Sequence, residues 1–287
     1  SGRSCRQRWD SGECDKDRSA VLRRHHHALD VQPVSGVRVG LDGREFGIHL
    51  LGDGAEGVVW DCGVDAEPGG VDGLYVDPLD VLAPVAEVVR KAGGLFIADE
   101  VQSGFGRTGT HLWGHARHGV DPDIVTMGKP MGNGYPVAGL VVRPEVVSSF
   151  GESMRYFNTF GGNTVAIAAA RAVLDTIRDD DLMANAVSVG EMILKGLRDI
   201  ATRYEAIGDV RGTGLYFGVE LVKDRATKTP DMDMALAAVN GLRERRILIS
   251  ATGADAHILK IRPPLVFTRQ DAEQLLDGVE ATFASLT

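Results

Sequence analysis

The chain has 287 residues, 44% hydrophobic and 25% charged, with 36 glycines and a formal net charge of −9. That is the composition of an ordinary globular protein with one large or two modest domains, and it excludes wholesale disorder and a fibrous protein. An acidic chain lacks the basic surface that nucleic acid needs, and no apolar run reaches the roughly 18 residues of a membrane-spanning helix. The three cysteines, Cys5, Cys14 and Cys62, cannot all pair within one chain and form no disulfide framework. No apolar signal segment opens the chain, so a reducing, cytoplasmic location is expected. The start at Ser1 reads as a fragment or a processed product.

Residues 1–24 show neither helical nor strand periodicity, and His25, His26 and His27 follow them. Adjacent side chains share no helix face, so an incidental cluster is favoured over a metal site. Residues 34–60 alternate apolar positions (Val37, Val39, Leu41) broken by glycine, which fits short strands or loops. From Leu79 the pattern becomes regular. Val81, Val85, Val88 and Val89 predict a helix face ended by Gly93-Gly94. Residues 95–98 form an apolar run of the kind found in buried parallel strands, stopping at Asp99-Glu100. Residues 124–127 and 137–142 predict two more strands. Helix, buried strand and glycine-rich loop in this order predict an α/β core with its site at the carboxyl ends of the strands.

Helices are expected over 164–178 and 182–204. In the second, Leu182, Ala186, Val189, Ile193, Leu197, Ile200 and Tyr204 step by three or four. A strand over 215–222, a helix over 234–245, short strands over 247–249 and 258–261 and a C-terminal helix then predict a smaller α+β domain. The helix carries Leu275, Leu276, Val279, Phe283 and Leu286.

Two residues stand out chemically. Asp99 ends an apolar strand, where a carboxylate is costly unless it meets a cation; a helix cap or structural ion pair is the bland alternative. Lys129 leaves another such strand among glycines that permit close approach by a ligand, although a loop lysine is usually just solvated. A desolvated lysine has a lowered pKa and can form a Schiff base. His111, His115 and His118 are spaced for one helical turn, but metal binding is the weaker reading and none is expected. Gly104-Phe105-Gly106 lacks a dinucleotide fingerprint and reads as a tight turn beside a ligand.

Three motifs combine these residues: Ile97-Ala98-Asp99-Glu100-Val101-Gln102-Ser103-Gly104-Phe105-Gly106-Arg107-Thr108-Gly109, then Pro122-Asp123-Ile124-Val125-Thr126-Met127-Gly128-Lys129, then Phe157-Asn158-Thr159-Phe160-Gly161-Gly162-Asn163. With these in order, the sequence from Leu79 onward closely resembles the class III pyridoxal-phosphate aminotransferases of fold type I, nearest to the alanine–glyoxylate aminotransferase-like and phospho-lyase subgroup. The resemblance implies an α/β fold: a partial large domain with a mixed, mainly parallel sheet, plus a smaller C-terminal α+β domain. The expected divisions are an atypical segment over 1–78, the cofactor-binding portion over 79–178 and the small domain over 179–287.

The resemblance also implies roles. Lys129 matches the lysine that forms the internal aldimine with pyridoxal 5′-phosphate, and Asp99 the carboxylate that pairs with the pyridinium nitrogen. Val101 matches the residue under the ring, Gln102 the one near the ring hydroxyl, and Thr159 a contact to the cofactor phosphate of the neighbouring subunit in a homodimer. Residues 210–215 resemble the entry into the small domain. The implied activity moves an amino group from an amine or amino acid to a keto acid. The alternatives are elimination of phosphate from a phosphorylated amine, and a truncated, inactive remnant of the fold.

The sequence departs from the family in three places. Residues 1–78 hold no evident phosphate cup or ring-stacking aromatic residue. Thr164 stands where proline is usual. Lys260 occupies the position of an arginine that binds the substrate carboxylate, with Arg262 two residues on and expected on the same strand face. Lys260 and Arg262 are therefore the candidate substrate-binding residues, and the lysine form looks like the phospho-lyase subgroup.

Overall fold

The computed structural model describes residues 82–286 and, ahead of them, the backbone of three strands: β1 (Pro33–Leu41), β2 (Arg44–Leu51) and β3 (Val58–Asp61). The three cysteines, Val81 and His25 to His27 lie outside the described residues.

Helix α1 (Leu82–Lys91) turns Leu82, Val85, Ala86 and Val89 inward. This i, i+3, i+4, i+7 set rotates the buried stripe away from Val88, expected on the inner face but 43% exposed. The helix ends in a Schellman motif: Gly94 N–H donates to Val89 and Gly93 N–H to Arg90, with Gly93 at φ +83°. The chain then enters β4 (Phe96–Asp99), which pairs in parallel with β3 and with β5 (Ile124–Met127). Between β4 and β5 lies the single turn α2 (Gly114–Arg117).

The first sheet runs β1-β2-β3-β4-β5-β6. It is mixed, but parallel pairing is confined to β3-β4-β5, so the described part is less parallel than expected. The expected strand over 137–142 shortens to β6 (Gly139–Val142), an antiparallel edge strand with Leu140 and Val141 exposed. Helix α3 (Pro144–Ser153), which the apolar spacing does not announce, follows with no buried residue. In α4 (Thr164–Asp179) Asn163 caps the start, its side-chain oxygen accepting from Ala166 N–H at 2.9 Å. Thr164 thus takes the first helical position where the family uses proline, and neither residue needs an intrahelical donor there.

Beyond α5 (Leu182–Ala201) the second sheet is antiparallel, in the order β10-β11-β8-β7. Its strands are β7 (Ile207–Thr213), β8 (Tyr216–Asp224), β10 (Ser250–Thr252) and β11 (Ile258–Ile261), with β9 (Thr229–Pro230) paired to β8. Helices α5, α6 (Met232–Glu244) and α7 (Arg269–Leu286) supply Ile193, Leu197, Leu242, Val279 and Phe283 to a core shared with Leu215, Phe217, Leu221 and Leu259. The strand expected over 247–249 is absent. Ile247 N–H turns back to Leu242, Arg246 is left-handed at φ +63°, and Ile247 and Ile249 pack on the helical core instead.

One close approach joins α5 to the β7–β8 turn. A Cβ on Gly190 would overlap the backbone carbonyl of Gly214, which cannot swing aside as a side chain can. Gly190→Ala is expected to lower stability by about 1–3 kcal/mol through overpacking. An unchanged urea midpoint would contradict the contact.

Candidate active site

The β4–β5 edge builds the site from local chemistry. Asp99 ends β4 half-buried, and its Oδ1 accepts from Val101 N–H at 3.0 Å. The next residues turn tightly: Gly104 N–H donates to Glu100 O at 3.1 Å, and Phe105 and Gly106 sit at φ +59° and +77°. A Cβ on Gly104 would come within 2.7 Å of Glu100 O and 3.1 Å of the Trp113 ring, so only glycine fits. The expected tight turn therefore forms. Lys129 follows β5 on a second turn, closed by Met131 N–H on Gly128 O at 2.7 Å.

These turns border a cavity of about 590 Å³. Val101, Gln102, Phe105 and Arg107 line it from the first turn, Lys129 from the second, and Arg262 from the segment after β11. Ala169, Ala172 and Val173 of α4 supply an apolar wall. Among the expected site residues, the cavity brings together Val101, Gln102, Lys129 and Arg262. Asp99 is not on its wall but is tied to Val101, which is. Thr159 lies on an exposed loop shaped by Asn158, whose Oδ1 accepts from Phe160 and Gly161 N–H. Lys260 faces a second cavity of about 500 Å³ with Ser250 and Asp271, its Nζ 5.9 Å from the centre of the Tyr216 ring. Arg262 borders both cavities.

The cations of the first cavity meet neutral partners. Arg262 donates to Gln102 Oε1 at 2.5 Å. Arg107 donates to the carbonyls of Leu215, at 3.0 Å, and Pro263. Burial, and then the neighbouring charge of Arg262, push Arg107 down to about 10. No carboxylate lines the cavity among the described residues, so its walls favour an anion. Sequence reasoning gave Arg107 no role; its only signal was membership of the first motif.

The spaced histidines do not converge. Glu100 is wholly buried, and Glu100 Oε1 accepts from His115 Nδ1 at 2.7 Å. His118 is buried and His111 bonds to Thr110, and among the described residues no cluster of metal-ligating side chains forms.

A carboxylate on the strand that leads into the turn, an amine on the next strand's turn and a cavity between two sheets are the arrangement of fold type I. The class-III aminotransferase family model matches residues 62–283, beginning earlier than the expected Leu79, and the chain belongs to that family. It is 45% identical over 218 residues to ethanolamine-phosphate phospho-lyase homolog 1 of Caenorhabditis elegans, covering 75% of this chain and 46% of that one. It is 41% identical over 264 residues to the mitochondrial alanine–glyoxylate aminotransferase 2 homolog 2 of Arabidopsis thaliana, covering 91% and 54%. An Arthrobacter phospholyase solved with phosphoethanolamine superposes with a TM-score of 0.76 at 43% identity, over 82% of this chain and 55% of that one. The chain spans about half the length of these relatives.

Pyridoxal 5′-phosphate is the family's cofactor. The residues present fit its ring: a primary amine that pairs with no side chain among the described residues, Val101 and Gln102 on one wall, and a carboxylate held at the adjoining strand end.

The Glu100 carboxyl should mark the site's response to acid. Burial works to raise it, but hydrogen bonds from His115, Ser103 and Gly114 outweigh burial and hold it below its ordinary range. A depressed folded value contributes stability above the unfolded value, lost as pH falls through the folded one. Glu100→Gln is therefore expected to be less stable at neutral pH, by about 1–3 kcal/mol for the donor left unpaired, and to have a flatter acid limb. Urea midpoints between neutral and acid pH test this; parallel curves for variant and parent would contradict it.

Proposed function

We propose that the protein is a pyridoxal-phosphate-dependent transaminase, moving an amino group between an amine or amino acid and a keto acid. The observation that carries the reading is the convergence of Lys129, Val101, Gln102 and Arg262 on one cavity beside Asp99. Bound in such a site, the cofactor supplies an electron sink for a carbanion at the substrate carbon. Asp99, its carboxylate oriented by Val101 N–H, holds a proton at the ring nitrogen. Val101 and Gln102, on the same wall, would hold the ring. Lys129 Nζ binds the cofactor and moves the proton at the substrate carbon. Ala169, Ala172 and Val173 of α4 give the substrate side an apolar wall.

A second reading keeps the site and changes the outcome: elimination of phosphate from a phosphorylated amine. The cations Arg107 and Arg262, with no carboxylate on the cavity wall among the described residues, favour it, as does likeness to proteins named for that activity. Residues 79–178 carry the cofactor in either reading, and 179–287 close the substrate side. This division is supported by the start of the second sheet and its helices just beyond α4.

A homodimer belongs to the same proposal. Thr159 sits between Phe157 and Phe160, which are 85% and 79% exposed beside exposed Met154 and Tyr156, an apolar surface suited to burial against a second copy. The cytoplasmic location is also proposed, on the absence of a disulfide framework. Among the described residues no helix is long and apolar enough to cross a membrane.

Borohydride treatment of the protein with pyridoxal phosphate is expected to fix the cofactor on Lys129, and Lys129→Ala to lose the fixed cofactor. Peptide mapping that finds it on another lysine, or a parent that takes up none, would sink the assignment. The substrate side is tested by truncating each cation. Arg262→Ala is expected to weaken phosphorylated or carboxylate-bearing amines by roughly tenfold, in keeping with loss of a charge-assisted hydrogen bond. If Lys260 binds the substrate as well, Lys260→Ala shows a comparable loss; otherwise the ranking of amines survives it.

A further inference from the structure

Glu100 has no part in the chemistry above, yet its carboxylate accepts four hydrogen bonds next to the site. It follows Asp99 just beyond the end of β4, and it is fully buried where Asp99 is only half-buried. Its side chain is fully buried, and among the described residues its charged partner is His115 rather than an arginine or lysine. A buried carboxylate survives only if its lone pairs are satisfied, and here they are. Oε2 accepts from Ser103 Oγ at 2.6 Å and from Gly114 N–H at 2.8 Å. Oε1 accepts from His115 N–H at 2.8 Å and from His115 Nδ1 at 2.7 Å. The backbone is engaged too: Glu100 N–H donates to Thr126 O at 2.9 Å, and Glu100 O accepts from Gly104 N–H.

These partners belong to three segments that must keep register for the site to exist. Thr126 lies on β5, whose end delivers Lys129. Ser103 and Gly104 belong to the turn that carries Val101, Gln102 and Phe105 to the cavity wall. Gly114 and His115 open α2, next to Trp113, whose ring meets the Phe105 ring edge-on at 5.1 Å. A helix cap for α2 would need only the Gly114 and His115 amides; it would not need the bond from Ser103.

We propose that Glu100 is a positioning residue for the cofactor: its buried carboxylate locks the 101–105 turn to the start of α2, its backbone N–H ties both to β5, and together they set Asp99 and Val101 relative to Lys129. The proposal rests on the pyridoxal-phosphate reading above. It assigns Glu100 no contact with cofactor or substrate.

Glu100→Gln keeps the size of the side chain but turns an amide NH₂ toward donors, so at least one backbone N–H loses its acceptor. Two signals test the consequence in the full chain. In the cofactor-free protein, amide exchange at Val101, whose N–H holds Asp99, is expected to quicken roughly tenfold as the turn opens more often. In the protein loaded with pyridoxal phosphate, the visible circular dichroism per bound cofactor is expected to fall by about half, since a site whose supporting shell is loosened no longer fixes orientation. A lower melting temperature with either signal at the parent's value overturns the proposal and leaves Glu100 a structural residue. If Glu100→Gln does not stay folded, Ser103→Ala removes one of the carboxylate's donors and is judged by the same two signals. A parent with no visible band defeats the functional reading instead, a result distinct from a banded parent that its variant matches.

Discussion

The cavity exists because a buried guanidinium ties the two sheets together. Arg107 leaves the turn after β4 and donates to the carbonyls of Leu215, at the β7–β8 turn, and Pro263, beyond β11. Its own carbonyl accepts from Leu215 N–H, and Thr213 Oγ1 donates to Thr108 O. The second sheet is thereby held against the turn that bears Val101 and Gln102, and Arg262 reaches the same wall. Burying a cation among neutral acceptors is costly. The cost is visible in the lowered Arg107 value, and fixed dipoles offset it where a carboxylate would have filled the space.

That choice of partners shapes the electrostatics of the site. A carboxylate beside Arg107 would cancel the charge at its source. Carbonyl oxygens satisfy the hydrogen bonds and leave the net charge in place. The Gln102 amide does the same for Arg262. The positive field therefore remains available to a ligand, while the donors that generate it are already fixed by protein contacts.

Much of this was legible in the residues, for reasons that also explain the misses. β5 and β11 match the apolar runs that announce them, and α5 follows its spacing of three and four to within a turn. A run of apolar residues does not reveal which side is covered, so β6 looked like an interior strand although Leu140 and Val141 are exposed. β7 escaped notice because Gly208, Asp209, Arg211 and Gly212 interrupt its alternation. Ile247 and Ile249 have strand chemistry but sit after a left-handed Arg246, and the helices claim them. Lys260 and Arg262 were expected on one face because strand side chains repeat every second residue. Both do line the second cavity, but β11 ends at Ile261, and Arg262, beyond the strand, also borders the first cavity, which Lys260 does not. The three motifs located the turns, but the acceptors of Arg107 lie more than a hundred residues away in the chain, beyond any local pattern.

The uncovered apolar strip along β6, α3 and the loop before α4 has a thermodynamic consequence. In the proposed homodimer this surface is buried, and association that favours the folded chain adds to its apparent stability as the logarithm of concentration. The melting temperature of the protein is then not a fixed property of the sequence. It should climb with protomer concentration, and a substitution far from the strip can be compared with its parent only when both are measured at the same concentration.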